Sequence, residues 1–321
     1  MSFAFVFPGQ GSQAVGMLAA LAASDPVVRA TFDEASDLLS YDLWQLVQEG
    51  PKERLDSTEC TQPAMLAAGV ATWRLWHNRG GGEPVLVSGH SLGEFTAFVC
   101  AGAIDFGTAI ELVRFRGEVM QEAVPAGAGA MAAILGLEDG DVELACREAA
   151  AGEIVEAANF NSPGQVVIAG QTSAVARAIE AAKARGAKRA ILLPVSVPSH
   201  SSLMRGAGQR LGERLASIEI RTPRIRCLSP VDVTTHDQPE QIRAHLAQQL
   251  SRPVQWWATV RAIAREKVGQ MIECGPGKVL TALNRRIEKR PGLEFMALED
   301  PASMQSALAT VVAADQGVGH A

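Results

Sequence analysis

The chain has 321 residues, 47% of them hydrophobic and 20% charged, enough to bury one large core or a large core with a smaller companion. Its net charge of −6, from 29 Lys and Arg against 35 Asp and Glu, gives none of the basic excess that a phosphate backbone selects, so nucleic acid is not expected as a partner. Cys60, Cys100, Cys146, Cys227 and Cys274 are too widely spaced for a CxxC clip or a disulfide framework, and Pro125, Gly127, Gly129 and Gly136 break the longest uncharged apolar stretch, so a cytoplasmic protein without signal peptide or membrane span is expected.

Short apolar runs alternate with helix-period segments from the start. Residues 3–7 and 84–88 read as strands, 94–100 as a helix, and 106–124 as a longer helix between turn signals. This rhythm predicts an α/β fold with a mostly parallel sheet. The middle of the chain breaks it: strand 130–137, helix 140–150, strand 154–159, the turn Asn161-Ser-Pro-Gly164, strand 165–169, helix 172–185, strand 190–195. That order is βαββαβ, the pattern of a ferredoxin-like subdomain. The expected division is therefore a discontinuous large domain, residues 1–127 and 198–321, around an insertion at 128–197. Beyond the insertion, strands 224–228 and 270–274 alternate with helices 239–250, 253–266 and 278–288.

Strand 84–88 runs into Gly89-His-Ser-Leu-Gly93 and then a helix, the strand, turn and helix context that a G-x-S-x-G nucleophile elbow requires. The turn leaves the Ser91 hydroxyl at a helix N-terminus, where free N–H groups favour negative charge. Ser91 reads as a nucleophile, with a plain helix-capping serine as the alternative. Of the six histidines, His200 in Val197-Pro-Ser-His200 leads as the base, because it follows the return from the inserted segment and interdomain clefts favour sites. His90 adjoins Ser91 and is expected to point away from it.

On the helix at 106–124, Ala109, Leu112, Val113, Val119, Met120 and Ala123 share one face at roughly 100° per residue. Arg116 falls in the middle of that face. A guanidinium there needs an anionic partner: either an internal carboxylate, a snorkelling route to water, or a substrate carboxylate held bidentately. At the N-terminus, Gly9-x-Gly11-x-x-Ala14 resembles a dinucleotide fingerprint but lacks the following strand with its acidic end. A Gly-flanked residue at that strand end can instead lend an N–H to an oxyanion hole.

Seven ordered segments together resemble the malonyl-CoA:acyl carrier protein transacylase family over nearly the whole chain: Phe7-Pro-Gly-Gln-Gly-Ser-Gln13, Gly89-His-Ser-Leu-Gly-Glu94, Arg116-Gly near Met120-Gln, Asn159-Phe-Asn-Ser-Pro-Gly-Gln165, Val197-Pro-Ser-His200, Pro253-Val-Gln255 and Glu273-Cys-Gly-Pro-Gly-Lys278. The resemblance implies a hydrolase-like α/β domain with an inserted ferredoxin-like one. It implies acylation of Ser91, His200 as base, backbone N–H donors at Gln10 and Leu92, Arg116 on the malonyl carboxylate, and the Gln255 carbonyl orienting His200. Asn161 is expected near the cleft. The implied reaction is ping-pong transfer of malonyl from malonyl-CoA to holo acyl carrier protein, supplying fatty-acid synthesis, with no cofactor or metal and a monomeric enzyme. An acidic carrier calls for a basic patch, for which Arg185, Lys188, Arg189, Lys278, Arg285, Arg286 and Lys289 are available. Two rivals remain. A serine esterase or thioesterase would use Asp232 or Asp237 before His245, and a carrier-binding scaffold would not turn over.

Overall fold

The computed structural model describes residues 2–195 and 197–316. Two sheets organise it. The first holds five strands, β1 (Phe3–Phe7), β2 (Leu86–Gly89), β7 (Arg226–Leu228), β8 (Gln270–Glu273) and β9 (Glu294–Ala297), in the order β7-β2-β1-β8-β9. All four pairings are parallel. The second holds β3 (Gly129–Leu135), β4 (Val155–Ser162), β5 (Gln165–Gln171) and β6 (Arg189–Leu192), ordered β4-β5-β3-β6 and antiparallel throughout. The expected mixture of a parallel sheet with a βαββαβ segment is thus present, with helices Asp139–Ala150 and Thr172–Ala184 as the two crossovers.

β1 is buried along its whole length because helices cover both faces of its sheet. Phe3, Phe5 and Phe7 pack towards Trp73 and Trp76 of helix Thr58–Asn78, while Ala4 and Val6 belong to a separate cluster with Trp256, Val260 and Leu280. The antiparallel sheet has its own core beneath its two helices. Its opposite face carries a small apolar cluster of Met131, Ala158, Val167 and Ala169. Met131 and Val167 from that cluster also line the main cleft, so the second sheet supplies one wall of it.

Two differences from expectation bear on the site. The helix expected from residue 253 starts at Trp256, because Val254 pairs with Asn159 and donates its N–H to the Ala158 carbonyl. β4 runs on to Ser162, so Asn161 lies inside the end of a strand rather than opening a turn. β9, which carries no alternating pattern, and the early helices up to Asn78 had no counterpart in the periodicity reading.

Candidate active site

β2 ends at Gly89, and the chain turns through His90, Ser91 and Leu92 into helix Gly93–Cys100. Ser91 adopts φ 52°, the strained left-handed region typical of such an elbow. The turn depends on two glycines: a Cβ on Gly89 would stand 1.9 Å from the Gly93 carbonyl carbon, and one on Gly93 would stand 2.1 Å from the Phe7 carbonyl oxygen. The sharp bend projects Ser91 into a cleft of about 430 Å³ between the C-terminal ends of β1 and β2 and one face of the antiparallel sheet.

His200 reaches the same point from the segment that follows β6. Its Nε2 lies 2.7 Å from Ser91 Oγ. On the opposite edge, Nδ1 faces the carbonyl oxygens of Gln249 at 3.0 Å and Arg252 at 3.1 Å. Carbonyls only accept, so Nδ1 carries the proton and Nε2 keeps the lone pair that accepts the Ser91 O–H. Burial, reinforced by the Arg116 charge and by His90, pushes His200 down to about 3, which keeps the ring neutral and basic in form. No carboxylate reaches the ring among the described residues, and serine and histidine form a dyad.

The Gln255 assignment is corrected by this geometry. Gln255 precedes the helix at Trp256, and its carbonyl accepts from the Thr259 N–H and Oγ1–H, so it is already engaged. The turn after helix Pro239–Gln249 presents the Gln249 and Arg252 carbonyls to His200 instead.

Arg116 is 1% exposed and has no carboxylate within ion-pair distance among the described residues. Its Nη1 donates to Gln62 Oε1 at 2.9 Å, and Nη2 donates to Gln249 Oε1 at 2.9 Å and to Ser91 Oγ at 3.3 Å. The Phe95 ring lies 5.3 Å beneath the guanidinium, and Nε has no partner. Burial lowers this group to about 9, opposed by the charge of Glu94, so it stays cationic at neutral pH. Neither a direct ion pair nor snorkelling explains it, since two neutral amides hold the guanidinium and Glu94 acts on it only from beyond Gln249.

Gln62 and Gln249 were not legible as site residues. Gln249 is the hub: its Oε1 holds Arg116, its Nε2 donates to the Ser91 carbonyl and to Glu94, and its own carbonyl orients His200. A glutamine on the buried face of a helix is a sequence signal only for some hydrogen-bonded role.

The other expected residues also converge. Gln10 and Leu92 both line the cleft, and neither backbone N–H has an acceptor among the described residues. Asn161 Oδ1 accepts from His90 Nε2 at 2.9 Å, so His90 faces the cleft rather than pointing away. The hydrolase alternative fails on geometry, because His245 meets Ser229 and Glu94, not Ser91. Of the expected basic patch, Arg185 is paired with Asp141 and Glu148, and Lys278 with Glu299.

The arrangement suits nucleophilic attack on an acyl group by a serine with a neutral histidine beside it, next to a buried cation that can take an anion. The family model described as acyl transferase domain matches residues 4–302. The malonyl CoA-acyl carrier protein transacylase of Escherichia coli K12 is 54% identical over 306 residues, covering 95% of this chain and 98% of that protein, and the Bacillus subtilis protein of the same name is 41% identical over 96% of each. An acyl carrier protein S-malonyltransferase from Vibrio cholerae superposes with a TM-score of 0.93 at 54% identity, over 96% of this chain and 100% of that one. A malonyl-transacylase solved in complex with a type II PKS acyl-carrier protein superposes with a TM-score of 0.95 at 54% identity, over 97% and 100%. With its acyl transferase domain matched almost end to end, the chain belongs to the malonyl CoA-acyl carrier protein transacylase family.

Proposed function

We propose that this enzyme transfers the malonyl group from malonyl-CoA to the phosphopantetheine thiol of holo acyl carrier protein through a malonyl ester on Ser91, supplying malonyl units for fatty-acid synthesis. The observation that carries the reading is Arg116, a buried cation with no carboxylate of its own, donating to the nucleophile's oxygen at 3.3 Å. A malonyl thioester supplies the missing anion as it brings its carbonyl to Ser91, and an acetyl thioester does not.

His200 Nε2 takes the Ser91 proton as Oγ attacks the thioester carbonyl. The unclaimed N–H groups of Gln10 and Leu92 hold the oxyanion of the tetrahedral intermediate. Collapse expels coenzyme A as its thiol, with the proton returned from His200. The carrier's thiol then enters, loses its proton to His200, attacks the serine ester and leaves malonylated. One thioester replaces another, so the cycle is reversible and ping-pong. Asn161, held to His90, edges the acyl pocket from the second sheet.

Residues 128–197 form a ferredoxin-like subdomain inserted into a hydrolase-like domain made of 1–127 and 198–321, of which 1, 196 and 317–321 lie outside the described residues; the strand order β4-β5-β3-β6 and the separate core beneath its helices support this division. The protein acts as a cytoplasmic monomer without cofactor. Its five cysteines are free and buried, as suits a reducing compartment, and no described helix is long and apolar enough to cross a membrane.

Incubation with malonyl-CoA labelled in the malonyl group tests the reading. Stable label on the protein that moves to added holo carrier supports a transferase. Rapid malonate release identifies a hydrolase, and no label identifies a scaffold.

A further inference from the structure

A second convergence of chemistry lies outside the cleft, behind the elbow helix. Asp232 follows β7, His236 stands four residues on, and His245 projects from helix Pro239–Gln249. Thr234 Oγ1–H donates to Asp232 Oδ1 at 2.9 Å, which turns Oδ2 towards both histidines. His236 Nε2 lies 2.9 Å from Oδ2, and His245 Nδ1 lies 3.8 Å from it. The three donor atoms fall within 4.8 Å of one another, and the two rings stack with centroids 4.5 Å apart.

The far edge of the His245 ring fixes its tautomer. Nε2 sits 3.1 Å from Glu94 Oε1 and 2.7 Å from Ser229 Oγ. Glu94 is buried and its oxygen accepts, so Nε2 carries a proton, and Nδ1 is the edge that faces Asp232 and His236 and that a cation would meet in the neutral ring. An outer carboxylate that holds a histidine in this way is the usual support of a metal-binding imidazole. His236 and Asp232 are partly open to solvent, which gives an ion a route in, while His245 is buried.

We propose that Asp232, His236 and His245 bind one divalent cation of the zinc, nickel or copper class, with water completing the coordination shell. Bonds of about 2.0 to 2.2 Å in a tetrahedral shell set ligand atoms about 3.4 Å apart. The separations of 2.9 and 3.8 Å bracket that spacing. To close the site, the partly exposed His236 gives up its hydrogen bond to Asp232 and swings off its stack on His245, so that both ring planes point at the ion. Two imidazole nitrogens in three donors favour these metals over magnesium and calcium, which prefer oxygen. The site does not depend on the transferase reading, since none of its three ligands lines the cleft.

The test is calorimetric titration of tag-free, chelator-treated full-length protein with Zn²⁺, with Co²⁺ absorption as a report on coordination. One ion per chain, a rise in Tm and a Co²⁺ ligand-field band are expected. His236→Ala and Asp232→Asn should each weaken binding by about tenfold or more, the least that even an outer partner of a metal site costs when lost. Metal-free malonyl transfer by His236→Ala should match wild type. Absence of saturable binding, binding unchanged in both variants, or equal binding of Mg²⁺ would overturn the proposal. If Asp232→Asn does not fold, the tenfold or greater loss of Zn²⁺ affinity in His236→Ala alone decides the matter, and unchanged affinity in it overturns the proposal.

Discussion

The Arg116 guanidinium donates to Ser91 Oγ at 3.3 Å, so a buried cation and the nucleophile share one point of the cleft. The same cation lowers the proton affinity of His200, which is bonded to the other side of that oxygen. Substrate anion, nucleophile and base are therefore electrostatically linked, and each link can be tested.

Arg116→Ala should lower malonyl transfer and raise relative activity towards acetyl-CoA. Removing one partner of a desolvated charge pair costs about 2 to 5 kcal/mol, a factor of roughly 30 to several thousand at 1.4 kcal/mol per decade. Arg116→Lys should rescue poorly, because an ammonium cannot reproduce the planar fork that meets Gln62 and Gln249 together. The measurement is the ratio of kcat/KM for malonyl-CoA over acetyl-CoA; an unchanged ratio makes Arg116 purely structural.

Gln62→Glu approaches the same question without deleting the cation. Gln62 Oε1 already accepts from Arg116 at 2.9 Å, and a carboxylate there would neutralise the guanidinium internally. Selectivity for malonyl over acetyl should fall by about tenfold or more, equivalent to 1.4 kcal/mol, while the fold survives because the new charge is paired. Retained selectivity would show that the substrate anion binds elsewhere.

Ser91→Ala should abolish covalent malonylation, and His200→Ala should slow it by roughly 10²- to 10⁴-fold, the usual contribution of general-base assistance. Intact-protein mass spectrometry after incubation with malonyl-CoA reads both. An adduct that persists in Ser91→Ala moves the nucleophile to another side chain.

His200, held down to about 3, stays neutral well below the pH at which an ordinary histidine protonates. The acid limb of kcat/KM for acylation should lie correspondingly low, and should rise in Arg116→Ala as a neighbouring positive charge is removed. The sign for stability follows from the same shift. The unfolded chain binds the extra proton first, so stability is fully present above about pH 6.5 and is lost as pH falls towards 3. Denaturant titrations of wild type and His200→Gln between those pH values should show a shallower loss in the variant. Parallel curves would mean that His200 protonates normally in the folded state.

Much of this protein is fixed by local sequence, because local sequence reports periodicity and backbone freedom. The glycines of the elbow permit a turn that a Cβ at Gly89 or Gly93 would block, so Ser91 was legible as a candidate nucleophile, with a helix-capping serine as the alternative, before any tertiary contact was known. Helical periodicity placed Arg116 on a buried face, and the alternation in the middle of the chain gave the βαββαβ order. What surrounds those residues was decided by contacts between distant segments. The two amides on Arg116 come from helices Thr58–Asn78 and Pro239–Gln249, and no local pattern distinguishes a glutamine that will hold a guanidinium from one that will hold a backbone. The carbonyls on His200 belong to Gln249 and Arg252 rather than Gln255, because the pairing of Val254 with Asn159 delays the next helix until Trp256 and directs the Gln255 carbonyl along it. A buried polar group must be satisfied by whatever the fold brings to it, and that choice is made only when the two sheets and their helices come together.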